Sequence, residues 1–143
     1  MPIESDDIIS NKVSIIQRAI SRALAEFRKN PEFTSYTELD ALILNLERAC
    51  QAAIDLAMHL IAEKQWGVPQ SSADAFRILE SKSSISKDTA KSLISMVGFR
   101  NIAIHEYQKL NLDIVSQIMK VDYLVFQRFC DELGFAIKFE DLN

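Results

Sequence analysis

Glycine and proline are scarce in this chain, three of each among 143 residues. A sheet protein with many tight turns needs more of both, so the scarcity points to long helices. Only two cysteines occur, Cys50 and Cys130, each inside an apolar helical pattern. They read as buried free thiols, and no CxxC or Cys/His cluster suggests zinc. A global excess of positive charge is missing too: 16 Lys and Arg stand against 20 Asp and Glu, for a net charge of −4. On charge alone this excludes a general nucleic-acid binder, unless basic residues are concentrated locally. No apolar run approaches the ~20 residues of a membrane span. The N-terminus "MPIESDDIIS" is acidic and polar, unlike a signal peptide. The expectation is a cytoplasmic protein with no membrane contact.

What is present is apolar periodicity. Hydrophobic residues make up 48% of the chain, enough for a globular core. Ile9, Val13, Ile16, Ile20, Leu24 and Phe27 recur at three and four residues and predict a first helix over 6–29. Ser5 or Asp6 is its candidate cap. A second, long helix is expected over about 36–66, its broad apolar face implying more than one neighbour. "SSADAFRILES" predicts a short third helix capped by Ser71 or Ser72. The fourth covers "SISKDTAKSLISMVGFRNIAIHEY", with Ser86 as cap and Leu93, Val97 and Ile104 on one side. The fifth covers "NLDIVSQIMKVDYLVFQRFCDELG", with a stripe of Ile114, Ile118, Val121, Val125 and Phe129. Residues 135–143 are expected to be a loose tail. The fold class is therefore all-α: an antiparallel bundle of about five helices in a single domain over 1–143.

One stretch departs from this plain pattern. "GFRNIAIHEY" (98–107) places Arg100, Asn101, His105, Glu106 and Tyr107 within eight residues. On a helix advancing about 100° per residue, Asn101 falls roughly 100° and His105 roughly 140° from Arg100. Asn101 and His105 thus share an edge, while Tyr107 returns to within about 20° of Arg100 if the helix persists that far. Gly98 would let a second backbone or a ligand come close.

Arginine grips phosphate through a planar fork, and histidine exchanges a proton near neutral pH. Together they suit transesterification of an RNA phosphodiester, which needs a base, an acid and a cation. The chain has only one other histidine, His59, inside the apolar second helix, where a structural role is expected. A twofold homodimer would bring two copies of Arg100 and His105 to one cleft. On geometry alone, an Arg-x4-His pair is more often a surface pair or a cap.

The residues also resemble a known family. "GFRNIAIHEY" is similar to the Arg-x4-His-x-Tyr pattern of HepT-type toxins in the HEPN superfamily of helical ribonucleases. "LERACQAAIDLAMHLIAEKQWGVPQSSADAFRIL", "LISMVGFRNIAIHEY" and "LNLDIVSQI" extend the likeness over about residues 40–120. The resemblance implies an HEPN-like fold, a homodimer and a metal-independent endoribonuclease that halts bacterial growth, with tRNA or mRNA as substrate. It assigns catalysis to Arg100 and His105, with Asn101 in support. Neither cofactor nor metal is implied. The implied partner is a nucleotidyltransferase antitoxin of MNT type, which transfers AMP from ATP onto Tyr107. On the helical projection that AMP would share an edge with Arg100 and occupy its phosphate site.

Two alternatives stand beside this reading. A non-catalytic HEPN module could use Arg100 and His105 to hold a nucleotide and regulate a partner nucleotidyltransferase. A metalloenzyme is more remote, since Asp55 and Glu63 show no ligand spacing with His59. The local charge balance is more favourable than the global one. Arg77, Lys82, Lys87, Lys91 and Arg100 face only Glu80 and Asp88 between residues 77 and 100, an excess of three positive charges. A dimer would double it.

Overall fold

The computed structural model describes residues 6–140, and Ser5 lies outside them. Among the described residues every regular element is helical: α1 (Asp7–Lys29), α2 (Tyr36–Lys64), α3 (Ser72–Ser81), α4 (Lys87–His105), α5 (Leu112–Gln117) and α6 (Leu124–Glu132). A 3-10 turn at Tyr107–Lys109 follows α4, and a π turn at Ile118–Asp122 joins α5 to α6. Five helices begin at side-chain caps that satisfy an orphan N–H. Asp6, Ser35, Ser71, Ser86 and Asn111 accept from Ile9, Glu38, Asp74, Thr89 and Asp113.

Contacts far apart in sequence fix the directions. Asp6, at the start of α1, meets His59 near the end of α2, and Lys12 pairs with Asp55 at 3.3 Å. α1 and α2 are therefore antiparallel. The Cys50 thiol lies 3.9 Å from the Met96 carbonyl, Gln51 meets Arg100, and Asp40 meets Tyr107. From Met96 in α4 to Tyr107 just beyond its end the partner on α2 moves from Cys50 back to Asp40, while the long Arg100 side chain reaches Gln51, so the chain leaves α4 toward the start of α2. At the other end of α4, Glu132 of α6 accepts from the Ser86 N–H at 2.7 Å and the Thr89 hydroxyl at 2.9 Å. Arg128 adds a bond from Nε to the Thr89 hydroxyl at 3.0 Å. One carboxylate thus caps α4 from a neighbouring helix and holds it antiparallel to α6.

The core is one continuous cluster drawn from every helix. α2 lies at its centre and packs against α1, α3 and α4. Its expected apolar face, Leu39 through Ile61, is buried throughout. Cys50 and Cys130 are free and buried, with both thiols pushed up to about 12 by burial.

The second half of the chain departs from its expected stripes. Ile114 and Val121 are exposed, while Val115, Met119 and Phe126 are buried in their place. Ile118, Val125 and Phe129 keep their expected burial. At the π turn the Tyr123 N–H reaches back five residues to the Ile118 carbonyl at 2.8 Å, and this extra residue per turn locally rotates the helix and leaves Val121 outside. On α4, Phe99 enters the core and Ile104 points outward. The tail expected to be loose is docked over 135–140. Ile137 is buried, Phe139 packs on Tyr123 at 5.7 Å, and the Glu140 N–H donates to the buried Ser21 hydroxyl at 2.8 Å. Gly134 makes the turn into it with φ +96°, which a side chain would strain. Residues 141–143 lie outside the described part.

Candidate functional site

α4 carries the polar set to the edge of the bundle. Arg100 sits one turn above its end, half-buried, with its guanidinium laid against α2. One terminal nitrogen donates to the Gln51 side-chain carbonyl, and the other donates to Asn101 Oδ1 at 3.3 Å. Its Nε is buried without a hydrogen-bond partner among the described residues. A guanidinium has five N–H donors, so the group is oriented while donors remain for an anion.

His105 is the last residue of α4 and is exposed. Asn101, one turn earlier, is exposed on the same edge. His59 is held elsewhere. Its Nε2 lies 2.7 Å from Asp6 Oδ2, and Gln51 is ~12 Å away along the α2 axis at 1.5 Å per residue. Glu63, one turn on from His59, gathers beside this pair with the three ligand atoms within 4.8 Å of one another, so the expectation that Glu63 and His59 lack ligand spacing is overturned. The Asp6 carboxylate already serves the α1 cap, and the Ile9 N–H and His59 hold its pKa below the ordinary value.

Tyr107 does not share a helical edge with Arg100. The helix stops at His105 because Glu106 adopts φ −139° and ψ 47°, outside the helical region. Tyr107 then swings onto the first turns of α2, where its hydroxyl donates to Asp40 Oδ1. The residue stays 40% exposed. Burial, followed by the bond to Asp40 and the charges of Asp40 and Glu47, pushes the phenol up to about 12.

Sequence reasoning missed the α2 contribution. Asp40, Glu47 and Gln51 are separated by seven and four residues, which puts them on one stripe of α2 within about 40°. Glu47 is half-buried there. Burial raises its pKa and the charge of Arg100 lowers it in part. Polar residues at helical spacing, breaking an otherwise apolar helix, were the signal that could have exposed this stripe. Beyond its contact with α2, the surroundings of Arg100 within this chain are open. A Cβ on Gly98 would meet nothing within 4 Å, so the glycine accommodates no close neighbour within this chain. Lys87 and Lys91 lie on the side of α4 away from Arg100, at roughly 140° and 180° on the helical projection, so they do not surround it. A groove of about 380 Å³ lined by Ser92, Ser95, Val121, Asp122 and Arg128 includes neither Arg100 nor His105.

The family profile described as Ribonuclease HepT-like matches residues 9–133, most of the chain. The chain belongs to the HepT-like ribonuclease family. It is 42% identical over 127 residues to the mRNA nuclease HepT of Shewanella oneidensis, covering 88% of this chain and 96% of that relative. Its fold matches the solved structure of the tri-AMPylated Shewanella oneidensis HEPN toxin in complex with MNT antitoxin. The TM-score is 0.86 at 41% identity, over 90% of this chain and 98% of that one. A second solved structure, a toxin–antitoxin complex with AMP-PNP, matches with a TM-score of 0.87 at 40% identity, over 91% and 100% of the two chains. Membership in the HepT-like ribonucleases decides between the readings left open by the residues: the chain is an endoribonuclease with the HEPN fold, not a binding module. Among the described residues, no helix is long and apolar enough to cross a membrane.

Proposed function

We propose that this HepT-type toxin, an endoribonuclease, cleaves RNA through Arg100 and His105 without a metal, at a cleft shared by two copies of the chain. The observation that carries the proposal is the pairing on α4. An oriented guanidinium with a buried, unpartnered Nε stands one turn from an exposed imidazole. His105 of one copy removes the 2′-hydroxyl proton. The oxygen attacks the adjacent phosphorus, and the imidazole of the other copy protonates the departing 5′-oxygen. Arg100 stabilises the charge that builds on the phosphate. The products are a 2′,3′-cyclic phosphate and a free 5′-hydroxyl.

Two copies are required by counting. Each chain offers one exposed histidine, since His59 is engaged by Asp6. The surface beside the site supports the pairing: Ile102, Ile104, Leu112 and Ile114 are each 40% exposed or more at the end of α4 and the start of α5. Such an apolar border is suited to burial against a second copy.

The partner is an MNT-type antitoxin, as in the related complex. In this proposal it neutralises the toxin by transferring AMP to Tyr107. The modified oxygen no longer donates to Asp40, and the new phosphodiester is repelled by the Asp40 and Glu47 carboxylates. Arg100, whose charge also acts on Glu47, is the nearby cation that attracts it. Arg100→Ala and His105→Ala each abolish RNA cleavage in a chelator-containing buffer while circular dichroism and melting stay as in the parent. Cleavage that survives His105→Ala refutes the assignment.

A further inference from the structure

We propose that Asp40 is the general base that readies Tyr107 to accept AMP, so that the toxin supplies part of the chemistry of its own neutralisation. This rests on the reading of Tyr107 as the acceptor. The Tyr107 hydroxyl already donates to Asp40 Oδ1 across 67 residues of sequence. α2 holds the carboxylate and the 3-10 turn after α4 holds the phenol, so two separate elements fix the contact. Asp40 is exposed, and it can pass a proton on to water.

The phenol needs such help. Its ionisation is pushed up to about 12, so the free phenolate is about one part in 10⁵ at pH 7. In the transfer step the phenol oxygen attacks the α-phosphorus of a nucleoside triphosphate bound by the antitoxin. The bond from Tyr107 oxygen to phosphorus forms, the bond from phosphorus to the bridging oxygen breaks, and pyrophosphate leaves. The hydroxyl proton moves to the Asp40 carboxylate. An aspartate accepting the proton of an attacking hydroxyl is sound chemistry for phosphoryl-group acceptors.

Few other charges bear on the phenol. Glu47 is the other acidic group of α2 acting on it. On its own turn, Glu106 and Lys109 are paired with each other at 3.8 Å. Across the stripe Arg100 is turned to Gln51.

The test compares parent, Asp40→Asn and Tyr107→Phe chains in single-turnover AMP transfer from α-labelled ATP, with antitoxin in saturating excess. Asparagine keeps the size and the hydrogen bond but takes no proton. Asp40→Asn is expected to lower the saturated rate by about 10²–10⁴-fold. Its remaining rate should climb about tenfold per pH unit between roughly pH 6 and 9, where the parent is flat, because hydroxide must then replace the carboxylate. RNA cleavage by the unmodified Asp40→Asn chain should equal the parent's, which shows that the fold is intact. A saturated rate within about threefold of the parent, or a loss confined to the antitoxin concentration needed, overturns the proposal. Labelling of Tyr107→Phe at the parent rate instead overturns the acceptor assignment, and this proposal with it.

Discussion

Removing the Gln51 side chain tests whether α2 aims the catalytic arginine. In Gln51→Ala the guanidinium loses the acceptor that turns it against α2 and keeps only the 3.3 Å bond to Asn101. A hydrogen bond to a charged group contributes about 1.5–3 kcal/mol net. A freed arginine regains at most about 2 kcal/mol of rotamer entropy, which must be spent again when it grips phosphate. The two bounds overlap at about 1.5–2 kcal/mol, and at ~1.4 kcal/mol per factor of ten kcat/KM should fall about 10–30-fold. Stability should fall by no more than that bond, about 1.5–3 kcal/mol, because the other bond of Gln51, to Asp55 at 2.8 Å, leaves Asp55 paired with Lys12. The assay is initial-rate cleavage of a labelled RNA at substrate well below KM, with chelator present and a thermal melt alongside. Arg100→Ala sets the floor. If Gln51→Ala matches or exceeds the parent while Arg100→Ala is dead, the arginine is not delivered by α2, and the geometric argument for the site is wrong.

Two further outcomes follow from the same geometry. The Tyr107 phenolate should form near pH 12 in a 295 nm titration of the parent, and at lower pH in Asp40→Asn, since removing the anion beside it favours ionisation. The folded value is raised above the ordinary 10, so the stability it contributes is present below about pH 10 and lost as pH rises toward 12. An unchanged titration in Asp40→Asn would contradict the contact. Gly98→Ala should stabilise α4 by about 0.4–1 kcal/mol in a thermal melt, because glycine costs helix stability and the added methyl meets nothing within 4 Å. If the melt rises but RNA cleavage falls, a second copy or the substrate lies against Gly98; a falling melt refutes the open-space reading.

The local features of this protein were legible in its residues. Apolar spacing located α1 through α4, and the caps at Asp6, Ser71 and Ser86 follow from short-range chemistry between a side chain and an N–H three residues on. The Arg100 to His105 spacing placed both residues within the last turns of α4, and the resemblance carried by "GFRNIAIHEY" named the family. Such features depend on the 3.6-residue period, which a sequence displays directly.

Only the tertiary structure decided the rest. A single non-helical residue, Glu106, ends α4 and sends Tyr107 to Asp40 instead of along the Arg100 edge. One π turn leaves Val121 outside, and the seating of α5 and α6 on the core turns Ile114 out and Met119 and Phe126 in. The tail docks because Ser21, on a helix more than a hundred residues earlier, has a hydroxyl that the Glu140 N–H can reach. Whether Gln51 meets Arg100 likewise depends on how two helices slide and rotate against each other. Packing across the whole core sets that register, and no spacing within either helix encodes it.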